Sequence, residues 1–212
     1  MVAVAVVPAG LAALPGQLVR HLPRQDGGRL VRLVYVVGVP GAGKTTLVRA
    51  TIQAAGLGRW LVRVPFAHEV LHRHTGTIVG AHLGRDRQRF GGTDTLSMSV
   101  APLALRWLAG RPYPMVVGEG DRLASAKWFA AVQAEGVNLA LVHLDTPAAL
   151  AEVRRAARGS RQSRAWVAGR VTKTHRLAGQ AALRLDGTAP LAENAAALAG
   201  LAGWPLTAEV PA

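Results

Sequence analysis

Apolar runs and amphipathic stretches alternate along this chain with a regular rhythm. Leu33-Val34-Tyr35-Val36-Val37 is a β-branched-rich apolar run, the pattern of a strand buried on both faces. Leu47 to Ala55 follows with helical spacing, and Gly56-Leu57-Gly58 stops it as a Gly C-cap does. Trp60 to Val64 predicts a second strand, closed by Pro65. Phe66 to His74 predicts a helix and Thr77 to Leu83 a strand. Thr95 to Ala109 predicts a helix with Thr93 or Asp94 as N-cap. Pro114 to Gly118 reads as a buried strand, Leu123 to Glu135 as a helix ended by Gly136, and Asn138 to Leu144 as a strand. Pro147 opens a helix to about Ala157. Ala181 to Asp186 is the last core strand, Leu191 to Leu201 the last helix, and Trp204-Pro205-Leu206 packs the tail. The alternation implies an α/β, three-layer fold: a five-stranded parallel sheet with helices on both faces. Residues 29–212 read as one domain with no internal repeat. Residues 1–28, interrupted by Pro8, Pro15 and Pro23, read as an N-terminal arm or edge element.

Composition narrows the class. With 212 residues and half of them hydrophobic, the chain can bury a proper core. It has no Cys, which excludes disulfides and thiolate metal sites. No apolar run approaches the roughly 18 residues of a membrane span. Val2 to Leu14 has no basic residue before it and makes a poor secretory signal. A cytoplasmic protein, monomer or homodimer, with no membrane partner is expected. The net charge of +13 favours a polyanionic partner, nucleotide phosphates or a DNA backbone. Three of the 25 basic residues are lysines, so part of this bias reflects arginine-rich composition.

The first strand leads into Gly38-Val39-Pro40-Gly41-Ala42-Gly43-Lys44-Thr45-Thr46. This is G-x-x-x-x-G-K-[ST], the phosphate-binding P-loop, in its required strand–loop–helix order. Glycines let backbone N–H groups curl toward phosphate oxygens, and the following helix adds the positive end of its dipole. Gly38, Gly41, Ala42, Gly43, Lys44, Thr45 and Thr46 are expected to hold ATP, with Lys44 on the β- and γ-phosphates and Thr45 on Mg²⁺.

Glu119-Gly120-Asp121-Arg122 lies at the C-terminal end of a buried strand, where open α/β sheets bind ligands. Glu119 or Asp121 is expected as the outer Mg²⁺ ligand through water, and Glu119 is the first candidate for general base, followed by Asp121 and Asp86. The loop Gly84 to Asp94 carries Arg85, Asp86, Arg87, Phe90, Thr93 and Asp94, which would shape an acceptor pocket. There Phe90 would stack on a base or pack in the core. Residues 158–176 hold six Arg and Lys residues. Arg161, Arg164, Arg170 and Lys173, spaced as one helix side, read as a cationic lid that neutralises transferring phosphate charge. His68, Glu69 and His72 stand at the spacing of the zinc motif H-E-x-x-H, which needs both histidines on one helix face; surface or pocket-lining histidines are the expectation here.

Over residues 31–204 the chain resembles the P-loop nucleoside and nucleotide kinases. The resemblance rests on the P-loop, the acidic strand end at Glu119, the Arg-rich segment 158–176 and the run Asp186-Gly187-Thr188-Ala189-Pro190. It implies a kinase fold and ATP-dependent phosphoryl transfer to a nucleotide-type acceptor, with Asp186 and Gly187 close to the adenine. A narrower resemblance joins Gly84 to Met98, Gly118 to Leu123 and Ser163 to Lys173 with small P-loop kinases of bacteriophages and actinobacteria. Some of those phosphorylate 5-hydroxymethyluracil within DNA. A kinase of a free nucleoside, nucleotide or other small molecule is the alternative. A P-loop NTPase switch without acceptor is a third, opposed by the basic segment and the lack of an N-K-x-D signature.

Overall fold

A computed structural model describes residues 32–87 and 91–207. The expected arm at 1–28 and Phe90 lie outside the described residues. The most apolar segment takes the centre. Strand β1 (Arg32–Val37) is flanked by parallel β5 (Met115–Glu119) on one side and parallel β6 (Asn138–Asp145) on the other. Its side chains alternate between the two faces of the sheet. Val34 and Val36 pack with Leu47, Val48 and Ile52 of helix α1 (Lys44–Ala54) and with Leu198 and Ala199 of α6 (Leu191–Ala202). Leu33, Tyr35 and Val37 face the opposite cluster, with Leu108 of α2 (Ala101–Ala109) and Trp128, Phe129 and Val132 of α3 (Ala126–Ala134). Burial on both faces explains why β1 shows no polar alternation.

The sheet has seven strands among the described residues, in the order β2-β3-β4-β5-β1-β6-β7. These add β2 (Gly58–Val62), β3 (His68–His72), β4 (Ile78–Leu83) and β7 (Leu183–Asp186). The remaining helices are α4 (Ala148–Ala157) and α5 (Arg164–Ala178). The expected five-stranded parallel sheet is therefore corrected to a mixed one. Strands β4, β5, β1, β6 and β7 run parallel, while β3 is antiparallel to both β2 and β4. From β1 the chain builds out to β2 and returns through β3 and β4 to β5, then crosses β1 to reach β6 and β7. The carboxyl ends of β1 and β5 thus sit at a topological switch, the usual ligand crevice of such sheets.

Two expected helices differ. Phe66 to His74 contains strand β3, buried from His68 to Leu71 and therefore without a readable period. Its Glu69 finds partners on other segments. The Glu69 carboxylate accepts from the Asp86 backbone N–H at 2.8 Å and lies 3.1 Å from His82 Nδ1 and 3.6 Å from Arg59. His68 is neither surface nor pocket-lining. It is buried among Phe66, Trp107 and Tyr113, and that burial lowers its pKa. His72 stacks on Trp60, ring centroids 4.0 Å apart.

The helix expected from Thr95 begins only at Ala101, with Pro102 in its first turn. Upstream, Ser97 Oγ accepts from the Ser99 backbone N–H at 3.3 Å, a local turn that competes with helix. Neither Thr93 nor Asp94 caps it. Trp204 is buried against the α1/α6 side, as the tail packing requires.

Candidate functional site

A cleft of about 700 Å³ opens above the carboxyl ends of β1 and β5. Its floor is the P-loop. Gly41 and Gly43 adopt φ of 91° and 99°, backbone that an L side chain rarely enters. At Gly38 a Cβ would stand 2.9 Å from the Leu144 carbonyl. Lys44 Nζ donates to the Gly38 and Val39 carbonyls at 2.9 and 3.2 Å, and burial lowers its pKa. From outside, α4 grips the loop. Arg154 Nη1 donates to Ala42 O at 3.1 Å, Arg155 Nη1 to Pro40 O at 2.5 Å, and Thr146 Oγ1 to Ala42 O at 3.3 Å.

Glu119 meets this floor. It ends β5, and only 1 % of its surface is exposed. Thr45 Oγ1 donates to Glu119 Oε1 at 2.9 Å. Burial pushes the Glu119 carboxyl upward, against the opposing pull of His82, Lys44 and the Thr45 hydrogen bond. An oxygen-only pair at the foot of the P-loop is the donor set a hard divalent cation prefers.

Gly91 and Gly92 close over this pair. A Cβ on Gly91 would come 2.5 Å from Thr45 Cγ2, and one on Gly92, whose φ is 59°, would overlap the Glu119 carboxylate. Gly92→Ala is expected to cost about 2–4 kcal/mol through strain and overpacking together. Thermal unfolding checks this, and a parent-like melting temperature would refute the close approach. Thr93 is fully buried, donating to Glu119 O at 2.8 Å and lying 2.9 Å from the Tyr35 hydroxyl. Asp94 lines the cleft, and its Oδ1 accepts from the N–H groups of Asp121 and Arg122 at 2.8 and 3.1 Å. It therefore caps the end of β5 rather than the helix expected after it.

The far wall is α5. Trp166, Arg170, Lys173, Thr174 and Leu177 line the cleft at i, i+4, i+7, i+8 and i+11, one face of the helix. Asp121 bridges to it, 2.8 Å from Arg170 Nη1 and paired with Lys173.

The expected site residues thus divide. Gly38, Gly41, Gly43, Lys44, Thr45, Thr46, Asp94, Glu119, Asp121, Arg161, Arg170 and Lys173 converge on the cleft. Arg161 precedes α5, which begins at Arg164, so the four expected cations do not share one helix side. Arg164 is exposed and is not among the cleft-lining residues. Ala42 is buried in the loop.

Other expected residues do not line the cleft. Asp86 is held by Arg49, at 2.6 Å from its Nη2, and by Arg59 Nη1 at 2.6 Å. Burial raises its pKa, but the Arg49 hydrogen bond and both guanidinium charges outweigh that, and the result lies below the ordinary value. This makes Asp86 a structural ion-pair centre and a weak base. Arg85 joins its loop by a bridge to Gly92, and its N–H donates to Thr95 Oγ1. Arg87 also does not line the cleft. Asp186 forms a local turn, accepting from the Thr188 N–H and hydroxyl at 2.8 and 2.6 Å. Gly187 packs on Asp145 and Thr146, its carbonyl accepting from Arg154. Sequence reasoning missed Gly91, Gln162, Trp166, Thr174 and the braces Arg154 and Arg155. A Gly-Gly pair in a charged loop was the one available signal.

Comparison with known proteins agrees in kind. The family model described as P-loop Nucleotide Kinase3 matches residues 29–189. No curated protein matches the chain. Among solved structures it is similar to a sugar kinase from Janibacter sp., at 14% identity and TM-score 0.49, covering 82% of this chain and 94% of that one. It is also similar to a gluconokinase from Sinorhizobium meliloti, at 17% and 0.46, covering 82% and 95%. A shikimate kinase from Aquifex aeolicus matches at 15% and 0.46, covering 81% and 96%.

Proposed function

Because the chain belongs to the P-loop Nucleotide Kinase3 family, we propose that it transfers the γ-phosphoryl group of ATP to a hydroxyl of a nucleotide-type acceptor. The carrying observation is the Thr45–Glu119 hydrogen bond, 2.9 Å long, at the junction of the P-loop and the acidic strand end. The residues fit ATP and Mg²⁺. Glycines hold positive φ where the triphosphate must lie close to backbone, and the oxygen pair offers the ligands a hard cation takes. Mg²⁺, when bound, neutralises charge on the phosphates. Gly41, Gly43 and Lys44 would hold the triphosphate, and Thr45 and Glu119 would hold the cation.

On the acceptor side, Glu119 receives the proton that leaves the acceptor hydroxyl as its oxygen bonds to the γ-phosphorus and the bond from that phosphorus to the β–γ bridging oxygen breaks, releasing ADP. A carboxylate whose pKa is raised by burial is a stronger base once ionised. Arg170 and Lys173 neutralise charge on the transferring group, and Arg161 adds to that field from the cleft edge. Asp121 positions the first two through its ion pairs.

A finer reading sets the hydroxyl on the hydroxymethyl group of 5-hydroxymethyluracil within DNA. Arg158 and Arg161, exposed and lining the cleft, and Arg164, exposed at the start of α5, support a polyanion lying along its mouth. The test is label transfer from γ-labelled ATP to free nucleosides and nucleotides, to duplex DNA carrying 5-hydroxymethyluracil, and to no acceptor. Transfer to any nucleotide-type acceptor is expected. Transfer to the DNA alone selects the finer reading, and to free compounds alone removes it. Hydrolysis that runs at full rate without acceptor overturns the phosphotransferase.

A further inference from the structure

Tryptophan has a large apolar surface that folding normally hides. Trp128 and Trp204 are buried here, yet Trp166 keeps 36% of its surface exposed and lines the cleft. Packing does not require it. The buried anchors of α5 are Thr174, Leu177 and Ala178 in its C-terminal half, a full turn or more beyond Trp166. Its ring is nevertheless oriented. The Arg170 guanidinium stands over it, 5.0 Å from the ring centroid, and Arg170 is anchored in turn by Asp121 at 2.8 Å.

A flat indole thus lies beside a flat, delocalised cation on the wall that also carries Lys173 and faces Asp94 and Asp121. Planar heteroaromatic rings stack on both groups. The neighbours of Trp166 along the cleft face are Arg170, Lys173, Thr174 and Leu177.

We infer that Trp166, backed by Arg170, is the platform on which the acceptor's nucleobase stacks. The inference rests on the phosphotransferase reading and specifies its acceptor. Trp166 selects an acceptor with a planar base, and stacking along this wall directs the acceptor hydroxyl toward Glu119.

The test pairs equilibrium binding with kinetics. Without ATP, thymidine is expected to quench tryptophan emission of the intact protein, and 2-deoxyribose is not. Quenching should vanish in Trp166→Ala. In the transfer assay with a nucleoside acceptor, Trp166→Ala is expected to raise the acceptor KM about 5- to 100-fold, with the KM for ATP within about twofold of the parent. Trp166→Phe, which keeps a stacking face, should recover most of the loss and serves also if the alanine variant misfolds. An unchanged acceptor KM in both variants, a rise in the ATP KM instead, or equal quenching by 2-deoxyribose overturns the platform. Quenching that depends on Trp166 in a protein that transfers nothing upholds the platform and removes the kinase.

Discussion

Glu119→Gln is expected to yield a protein that melts higher than the parent and transfers phosphate about 10²–10⁴-fold more slowly. Both effects follow from one carboxylate with 1 % exposure. Glutamine keeps the shape and can still accept the Thr45 hydroxyl, so the 2.9 Å hydrogen bond survives. It cannot take a proton from an acceptor hydroxyl, and it lacks the charge that faces a divalent cation. The gain in stability comes from desolvation, the largest influence on this carboxyl, which raises its pKa from 4.5. A raised pKa in the fold means stability that is full at acid pH. It is lost as pH climbs from about 4.5 through the folded value.

Glutamine does not titrate, so the advantage should be greatest at alkaline pH and shrink toward pH 4.5. About 1–2 kcal/mol, or roughly 2–6 °C, is the expected gain for a domain of this size. Melting curves across pH in the absence of Mg²⁺ measure it. A variant less stable than the parent at every pH would refute the picture of an under-compensated buried charge.

Lys44→Ala should lower transfer about 10²–10³-fold, the usual cost of removing one preorganised donor from a charged transition state. The ammonium is bonded at 2.9 and 3.2 Å to the Gly38 and Val39 carbonyls, on the loop that would hold the triphosphate. Burial lowers its pKa, and the facing charges of Glu119, Asp94 and Asp121 oppose that shift. Circular dichroism should match the parent, since the loop's outer grip from α4 remains. Full activity in a folded Lys44→Ala protein would remove the P-loop from the mechanism.

Where the sequence could be read, the information was local. β1 declares itself by an unbroken apolar run, and the P-loop by glycines and a lysine at fixed spacing. Glu119 follows from a buried strand ending in an acid. Strand β3 could not be seen this way. Its register is set by β2 and β4, and its buried Glu69 is satisfied by His82 and the Asp86 N–H from other segments. Asp86 misled for the same reason. An acid in an arginine-rich loop looks like a ligand for substrate until Arg49 and Arg59 are found on either side of it. Trp166 was visible, but whether a tryptophan on a polar helix faces a cleft depends on where the helix lies. Spacing alone puts Arg161 on one helix side with Arg170, but the helix starts only at Arg164, with Ser163 as its cap.

The side-chain grip on the P-loop has a thermodynamic reach beyond the cleft. Carbonyls of Pro40 and Ala42 are bonded by Arg155, Arg154 and Thr146. The ordering entropy of that turn is therefore met during folding, by residues more than a hundred positions away in the chain. A nucleotide arriving at such a loop finds its shape already set and loses little of its interaction energy to ordering it. Loosening of α4, at its own Arg154 and Arg155, would then weaken nucleotide affinity while leaving every residue that faces the phosphates in place.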